Sequence, residues 1–147
     1  MKKFLFVFTM FIFIGISGKC FGQTANLKVV VTHINEEKGK IRIGVFDNAL
    51  DFKAKKDPLA AAEVPAKDST VSYIFKNLAC ERIAIAIFHD RNGNGGLDTK
   101  KLGIPLEGVG FSSKVASKLH QPIFPEASFL LKSDTTIFIN LYYTKQN

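Results

Sequence analysis

"ERIAIAIFHD", from Glu81 to Asp90, decides how the rest of the chain is read. Its middle is an unbroken apolar run, short enough for a strand and too short for a typical buried helix. Extended, it places Ile85 and Ile87 on one face and Ala84, Ala86 and Phe88 on the other. Both faces are apolar, so the segment is expected to be a strand covered on both sides.

The neighbouring segments follow the same logic. "NLKVVVTHI" (Asn26–Ile34) is rich in β-branched residues and ends at "NEEKGK". "KIRIGVFD" (Lys40–Asp47) alternates, with Ile41, Ile43 and Val45 facing one way and Arg42 and Gly44 the other. The two read as a hairpin. "STVSYIFKNL" (Ser69–Leu78) puts Val71, Tyr73 and Phe75 on one face. "ASFLLK" (Ala127–Lys132) and "TTIFINLYY" (Thr135–Tyr143) close the chain, with Ser133 and Asp134 as a turn between them. Leu50–Asp68 and Ser112–Ala127 read as loops, each broken by two prolines, the first with at most one helical turn. About six or seven short strands separated by turn signals suggest an all-β, antiparallel sandwich, immunoglobulin-like or transthyretin-like, with a small barrel as the alternative.

The N-terminus has the layout of a secretory signal peptide. Lys2 and Lys3 precede the apolar run Phe4–Ile16, which falls short of the roughly 20 residues of a membrane span. Cys20 and Gly22 suit the minus-three and minus-one positions, so cleavage is expected after Gly22. An uncleaved anchor and lipid attachment at Cys20 are the alternatives, and the long, charged Lys19 argues against the second. Cleavage leaves residues 23–147 as a single domain, with 17 basic and 13 acidic side chains, a net charge of +4 in place of the +7 of the whole chain. That mild bias, with no arginine-rich run and no interleaved aromatic–basic patch, does not argue for nucleic acid. No second long apolar stretch follows, so no membrane span is expected after cleavage. Cys80 would be left without an internal partner and reads as a small buried hydrophobe.

The residues that raise a functional question lie just beyond the central strand, in "FHDRNGNGGLDTKKLGIPLEGVGFS" (Phe88–Ser112). Asp90, Asn92 and Asn94 alternate as ligands do in a calcium loop, with Gly95 at the sharp turn, the carbonyl of Gly96 next and Asp98 beyond it. Alternate side chains of a tightly wound loop converge on one point, and a hard cation takes six to eight oxygens. The pattern fails where a bidentate acid is due, since Lys101 stands there; Glu107 or Asp47 could supply the missing ligand. Calcium is thus the candidate cofactor, with a dissociation constant on the order of 10⁻⁴–10⁻³ M. The competing reading is a metal-free turn, because Asn and Gly tolerate positive φ.

His89 reads as a structural residue hydrogen-bonded to Asp90, or else as a metal ligand or general base; His33 and His120 have no spacing that joins it to a metal set. Gly103, Gly108 and Gly110 suggest a closely packed backbone, and His89, Glu107 and Ser112 outline a possible ligand cleft. Ser112 or Ser113 with His89 and Asp90 makes a hydrolytic triad on paper, without a nucleophile-elbow motif.

Three pieces of the chain carry a family resemblance: "GKIRIGVFD" with Phe52 downstream, "FKNLACERIAIAIFHDRNGNGGLDTKKLGIPLEGVGFS", and "FPEASFLL" before a final strand. Together they resemble the secreted bacterial family known as domain of unknown function 2141, over roughly Leu27 to Tyr143. The resemblance implies a prealbumin-like β-sandwich and an exported protein, and no particular activity. One departure is "ACERI", which stands where the family has a Pro-Gly turn and a tyrosine, so Cys80 and Glu81 must turn without glycine. The expectation is a non-enzymatic domain of the cell envelope or extracellular space, with a weak calcium loop. The alternatives are a module binding a glycan or peptide, and a small hydrolase using His89.

Overall fold

The computed structural model describes residues 22–113 and 121–144. Residues 1–21 of the expected leader, and His120, lie outside the described residues. The described chain forms β1 (Thr24–Thr32), β2 (Lys40–Phe46), a short helix α1 (Ala49–Ala54), β3 (Ala60–Pro65), β4 (Val71–Ala79) and β5 (Arg82–Asp90), then β6 (Val109–Phe111), a one-turn helix α2 (Phe124–Ala127), β7 (Phe129–Leu130) and β8 (Thr135–Asn140). The strands make two sheets. One has the order β4-β1-β8; the other runs β3-β2-β5-β6, with β7 paired to the start of β5.

The central strand behaves as its composition requires. From Ile83 to Ile87 every residue of β5 is buried, and Phe88 is half-buried. Ile83, Ile85 and Ile87 join Ile41, Ile43 and Val45 of β2 against Leu27, Val29 and Val31 of β1, Phe75 of β4 and Ile139 of β8, in one cluster that draws on both sheets. Each such side chain contributes about 1.5–3 kcal/mol when removed from water. The other face of β5 is covered as well. Ala84 and Ala86 pack with Phe46, Phe52 and Ala127. Helix α1 exists to seat Phe52: the Asn48 side chain caps its start by accepting from the Asp51 N–H at 3.0 Å, and Lys55 ends it in a left-handed conformation. The fully buried Phe52 ring then meets Phe46, Phe111 and Phe124 edge-on, with centroids 5.7–6.2 Å apart.

Three expectations about partners are corrected. β1 and β2 are not a hairpin: β1 pairs with β4 and β8, β2 with β3 and β5, and the linker between them crosses from one sheet to the other. Alternation tells which face of a strand is buried, and that demand is met equally by a neighbour beside the strand or one across the core. The sheets are not wholly antiparallel either, because β8 runs parallel to β1, Leu27 opposite Thr135 through Thr32 opposite Asn140. Finally, the second half of the Leu50–Asp68 loop is a strand. The alanines of β3 are weak strand formers, but pairing with β2 overrides propensity and half-buries Ala60, Ala62 and Val64. Among the described residues no helix is long and apolar enough to cross a membrane.

Candidate functional site

At one end of the two sheets, the β1–β2 linker, the long β5–β6 loop and the segment after β8 come together. Lys40 at the start of β2 lies opposite Asp90 at the end of β5, and Val109 at the start of β6 bridges to Tyr142. Three polar side chains are buried in this region: His89 and Asp90 are fully enclosed, and Glu107 is 2% exposed.

Asp90 lies on the face of β5 away from Ile85 and Ile87 and is enclosed by the loop that follows it. Its carboxylate accepts the Gly93 N–H at 2.8 Å and the Gly95 N–H at 3.0 Å, and pairs with the Arg42 Nε at 2.8 Å. Burial opposes its ionisation, but the Arg42 hydrogen bond, the two backbone N–H groups and the guanidinium charge outweigh burial and hold the carboxyl below the usual carboxylate range. Arg42 also pairs with Glu63, which bonds Lys40 at 2.7 Å. The Lys40 hydrogen bond, with help from the Arg42 charge, lowers the Glu63 carboxyl in the same way.

Glu107 holds the loop from the other side. One oxygen accepts the Arg91 N–H at 2.9 Å and the other the Asp98 N–H at 3.2 Å. Two buried carboxylates thus take the backbone donors of residues 91, 93, 95 and 98, and the irregular first part of the loop, residues 91–98, becomes defined.

His89 lies on the opposite face of β5 from Asp90, and the two do not bond. Its Nε2 is 2.6 Å from the Lys38 carbonyl, and its Nδ1 is 2.8 Å from the Tyr143 hydroxyl. A carbonyl only accepts, so Nε2 carries a proton, and in the neutral ring the Tyr143 hydroxyl donates to Nδ1. That hydroxyl in turn accepts from the Asn35 N–H at 3.4 Å. The Tyr143 ring lies so close to Gly108 that a Cβ there would stand 2.5 Å from it. Burial raises the Tyr143 hydroxyl above its ordinary range, despite the Asn35 N–H. The expected His89–Asp90 bond is therefore replaced by a tie between the β1–β2 linker, β5 and the chain's last segment.

The expected calcium ligands are near one another but otherwise engaged. Asn92 and Asn94 turn their amide nitrogens to Asp98, at 2.6 and 3.0 Å, and their oxygens to the N–H groups of Asn94 and Gly96. Coordination by Asp90, Asn92, Asn94, Gly96 and Asp98 together would require both amides to reverse and Asp90 to exchange a guanidinium for the ion. Of the two extra ligands, Glu107 is adjacent but faces the loop backbone. Asp47 follows the far end of β2, about 24 Å along the strand from Lys40. Among the described residues no three His, Cys, Asp or Glu side chains gather as a metal set.

The possible cleft of His89, Glu107 and Ser112 is not brought together. Ser112 pairs with Ile85, four residues down β5 from His89 and so about 13 Å away. Its hydroxyl accepts the Ile85 N–H at 2.7 Å and donates to the Ala127 carbonyl at 2.8 Å. The paper triad with His89 and Asp90 has no nucleophile at hand. Cys80 is half-buried against the core, its Sγ 3.5 Å from the Lys132 carbonyl.

Two open concavities flank the loop end. One, of ≈ 410 Å³, lies between the β1–β2 linker and the loop, lined by Glu36, Lys38, Arg91, Asn92 and Asp98 among others, with Arg91 and Glu36 paired at 3.0 Å. The other, of ≈ 570 Å³, is lined by His33, Asn35, Asn140, Tyr142 and Tyr143 among others. Sequence reasoning missed Arg42, Tyr143 and the aromatic concavity. Arg42 was legible as an outward-facing residue of its strand, but its partner depended on which strand lay alongside.

The class these features define is a two-sheet, all-β domain with a long, internally stapled loop at one end. The chain belongs to the bacterial family described as "Uncharacterized protein conserved in bacteria (DUF2141)", whose model matches residues 29–138. No curated protein and no solved structure matches it significantly.

Proposed function

We propose that this chain is an exported, non-catalytic β-sandwich domain, immunoglobulin-like or transthyretin-like, that presents its stapled loop end to a partner in the cell envelope or outside the cell. The observation that carries the reading is the fate of the buried polar groups. His89, Asp90 and Glu107 would be the natural acid–base residues, and their hydrogen bonds go to backbone groups of the loop and linker and to the Arg42 and Tyr143 side chains. Such a site is built to fix the shape of a surface rather than to move protons. The polar and aromatic concavities beside the loop suit a glycan or a peptide. Screening the purified protein against glycan and peptide arrays tests this; turnover of an ester or glycoside substrate that is lost in Ser112→Ala would replace it with the hydrolase reading.

A calcium ion at the loop is a second proposal, favoured by the Asp98 carboxylate between Asn92 and Asn94. Export rests on the leader: the intact mass of protein recovered from the periplasm or medium should correspond to an unlipidated chain starting at Gln23. A diacylglyceryl mass on Cys20 or a retained Met1 would defeat it.

A further inference from the structure

The tip of the β5–β6 loop is built in a way that neither the core nor the stapled site requires. Thr99 pairs with Pro105, and the Lys100 N–H reaches the Ile104 carbonyl at 2.8 Å, so residues 99–105 form a small hairpin of their own. The Gly103 N–H closes its turn on the Lys100 carbonyl at 3.1 Å. Leu102 occupies the third position of that turn with φ 69° and ψ 16°, a place where glycine or asparagine is the usual residue. A left-handed conformation is unfavourable for a branched apolar side chain. Of the five non-glycine residues with positive φ among those described, the others are His33, Lys55, Asp57 and Asn77. Leu102 alone is aliphatic, and it is 98% exposed, the most exposed of the large apolar side chains described.

The charged side chains of the hairpin itself, Lys100 and Lys101, have one sign. Between Asp98 and Glu107 the sequence carries Lys100 and Lys101 and no acid. Glu107 is buried beneath the loop and faces its backbone, and Asp98 is occupied by Asn92 and Asn94. Ile104, 42% exposed, adds a second apolar side chain next to the turn. A strained, fully exposed leucine at an apex, backed by two ammonium groups and held on a stapled base, has the chemistry of a peripheral membrane anchor: the apolar tip enters the acyl boundary and the lysines meet anionic headgroups.

We propose that the Thr99–Pro105 hairpin docks this protein on anionic lipid bilayers, with Leu102 inserted and Lys100 and Lys101 at the headgroups. The chain contains no tryptophan, so Leu102→Trp introduces a sole indole at the apex. Its emission is expected to shift to the blue with vesicles of phosphatidylglycerol and phosphatidylcholine in equal parts, and to stay unshifted with phosphatidylcholine alone. No shift with either vesicle overturns the proposal, and an equal shift with both overturns its electrostatic half. In co-sedimentation with the mixed vesicles, Leu102→Gly should lower binding at least about tenfold, and each of Lys100→Gln and Lys101→Gln about fivefold. Leu102→Gly should melt no lower than the parent, because glycine adopts this φ freely; its binding is therefore read on a folded protein. Undiminished binding by Leu102→Gly would assign any vesicle affinity to another part of the chain and refute the hairpin's role.

Discussion

Replacing Asp90 by asparagine tests the stapled loop most directly. The native carboxylate is fully buried and accepts from Gly93, Gly95 and Arg42 at 2.8–3.0 Å. Asparagine keeps one acceptor oxygen and turns an NH₂ group toward the other donors: with its oxygen at the Oδ2 position it loses the Gly93 N–H, with its oxygen at Oδ1 it loses the Gly95 N–H and the Arg42 Nε, and either way Arg42 loses the charge of its buried partner. Removing one member of a buried ion pair costs about 3–5 kcal/mol, and each hydrogen bond to a charged group is worth about 1.5–3 kcal/mol. Because at least one bond survives and the part-exposed Arg42 keeps Glu63, the lower end applies, and a loss of about 3 kcal/mol is expected. For a domain of this size that lowers Tm by roughly 10 °C. The pH dependence carries the same signature. The folded Asp90 carboxyl ionises below its unfolded range of about 3.9, so its stabilisation is complete above that range and disappears as pH falls through the folded value. Asp90→Asn should flatten the acid limb of the stability curve. Urea unfolding across that limb, with hydrogen exchange at Gly93 and Gly95, is the assay. A loss below about 1 kcal/mol with both amides still protected would mean that the loop is held by something other than this carboxylate.

Ile85→Ala should destabilise by about 2–5 kcal/mol, since its side chain is wholly enclosed between the sheets; a cost below about 0.5 kcal/mol in urea unfolding would contradict the packing of β5. Tyr143→Phe leaves the buried His89 Nδ1 without a donor and should cost about 1–3 kcal/mol, with the ¹⁵N shifts of the His89 ring reporting the lost bond; an unchanged ring signal would argue for a different proton arrangement. If calcium binds the loop, saturation at about 100 times the dissociation constant should raise stability by roughly 2.7 kcal/mol, and Asp98→Ala should abolish the gain. Identical melting temperatures in chelator, calcium and magnesium would remove the metal proposal.

The linear order of residues determined most of the strands and which of their faces would be buried, because those properties reside in local periodicity; β3 escaped it, since its alanines carry no strand signal of their own. β5 needed no partner to be recognised as doubly covered: an apolar run from Ile83 to Phe88 has no face that water would tolerate. The same local character made the Asp90–Asp98 loop visible, since Asn and Gly at alternate positions announce tight turns. The sequence could not show what the buried polar groups of that region bond to. Asp90 meets Arg42 across a β2–β5 pairing, Glu107 meets the N–H groups of Arg91 and Asp98 across a loop, and His89 meets Tyr143 from the end of the chain. Strand neighbours, sheet membership and the parallel course of β8 are set by how the apolar faces close over one another, and many arrangements satisfy the same alternation. Only the closed structure chose among them, and in doing so it made Asp90 and Glu107 ties of the β5–β6 loop and His89 a tie between the β1–β2 linker and the end of the chain.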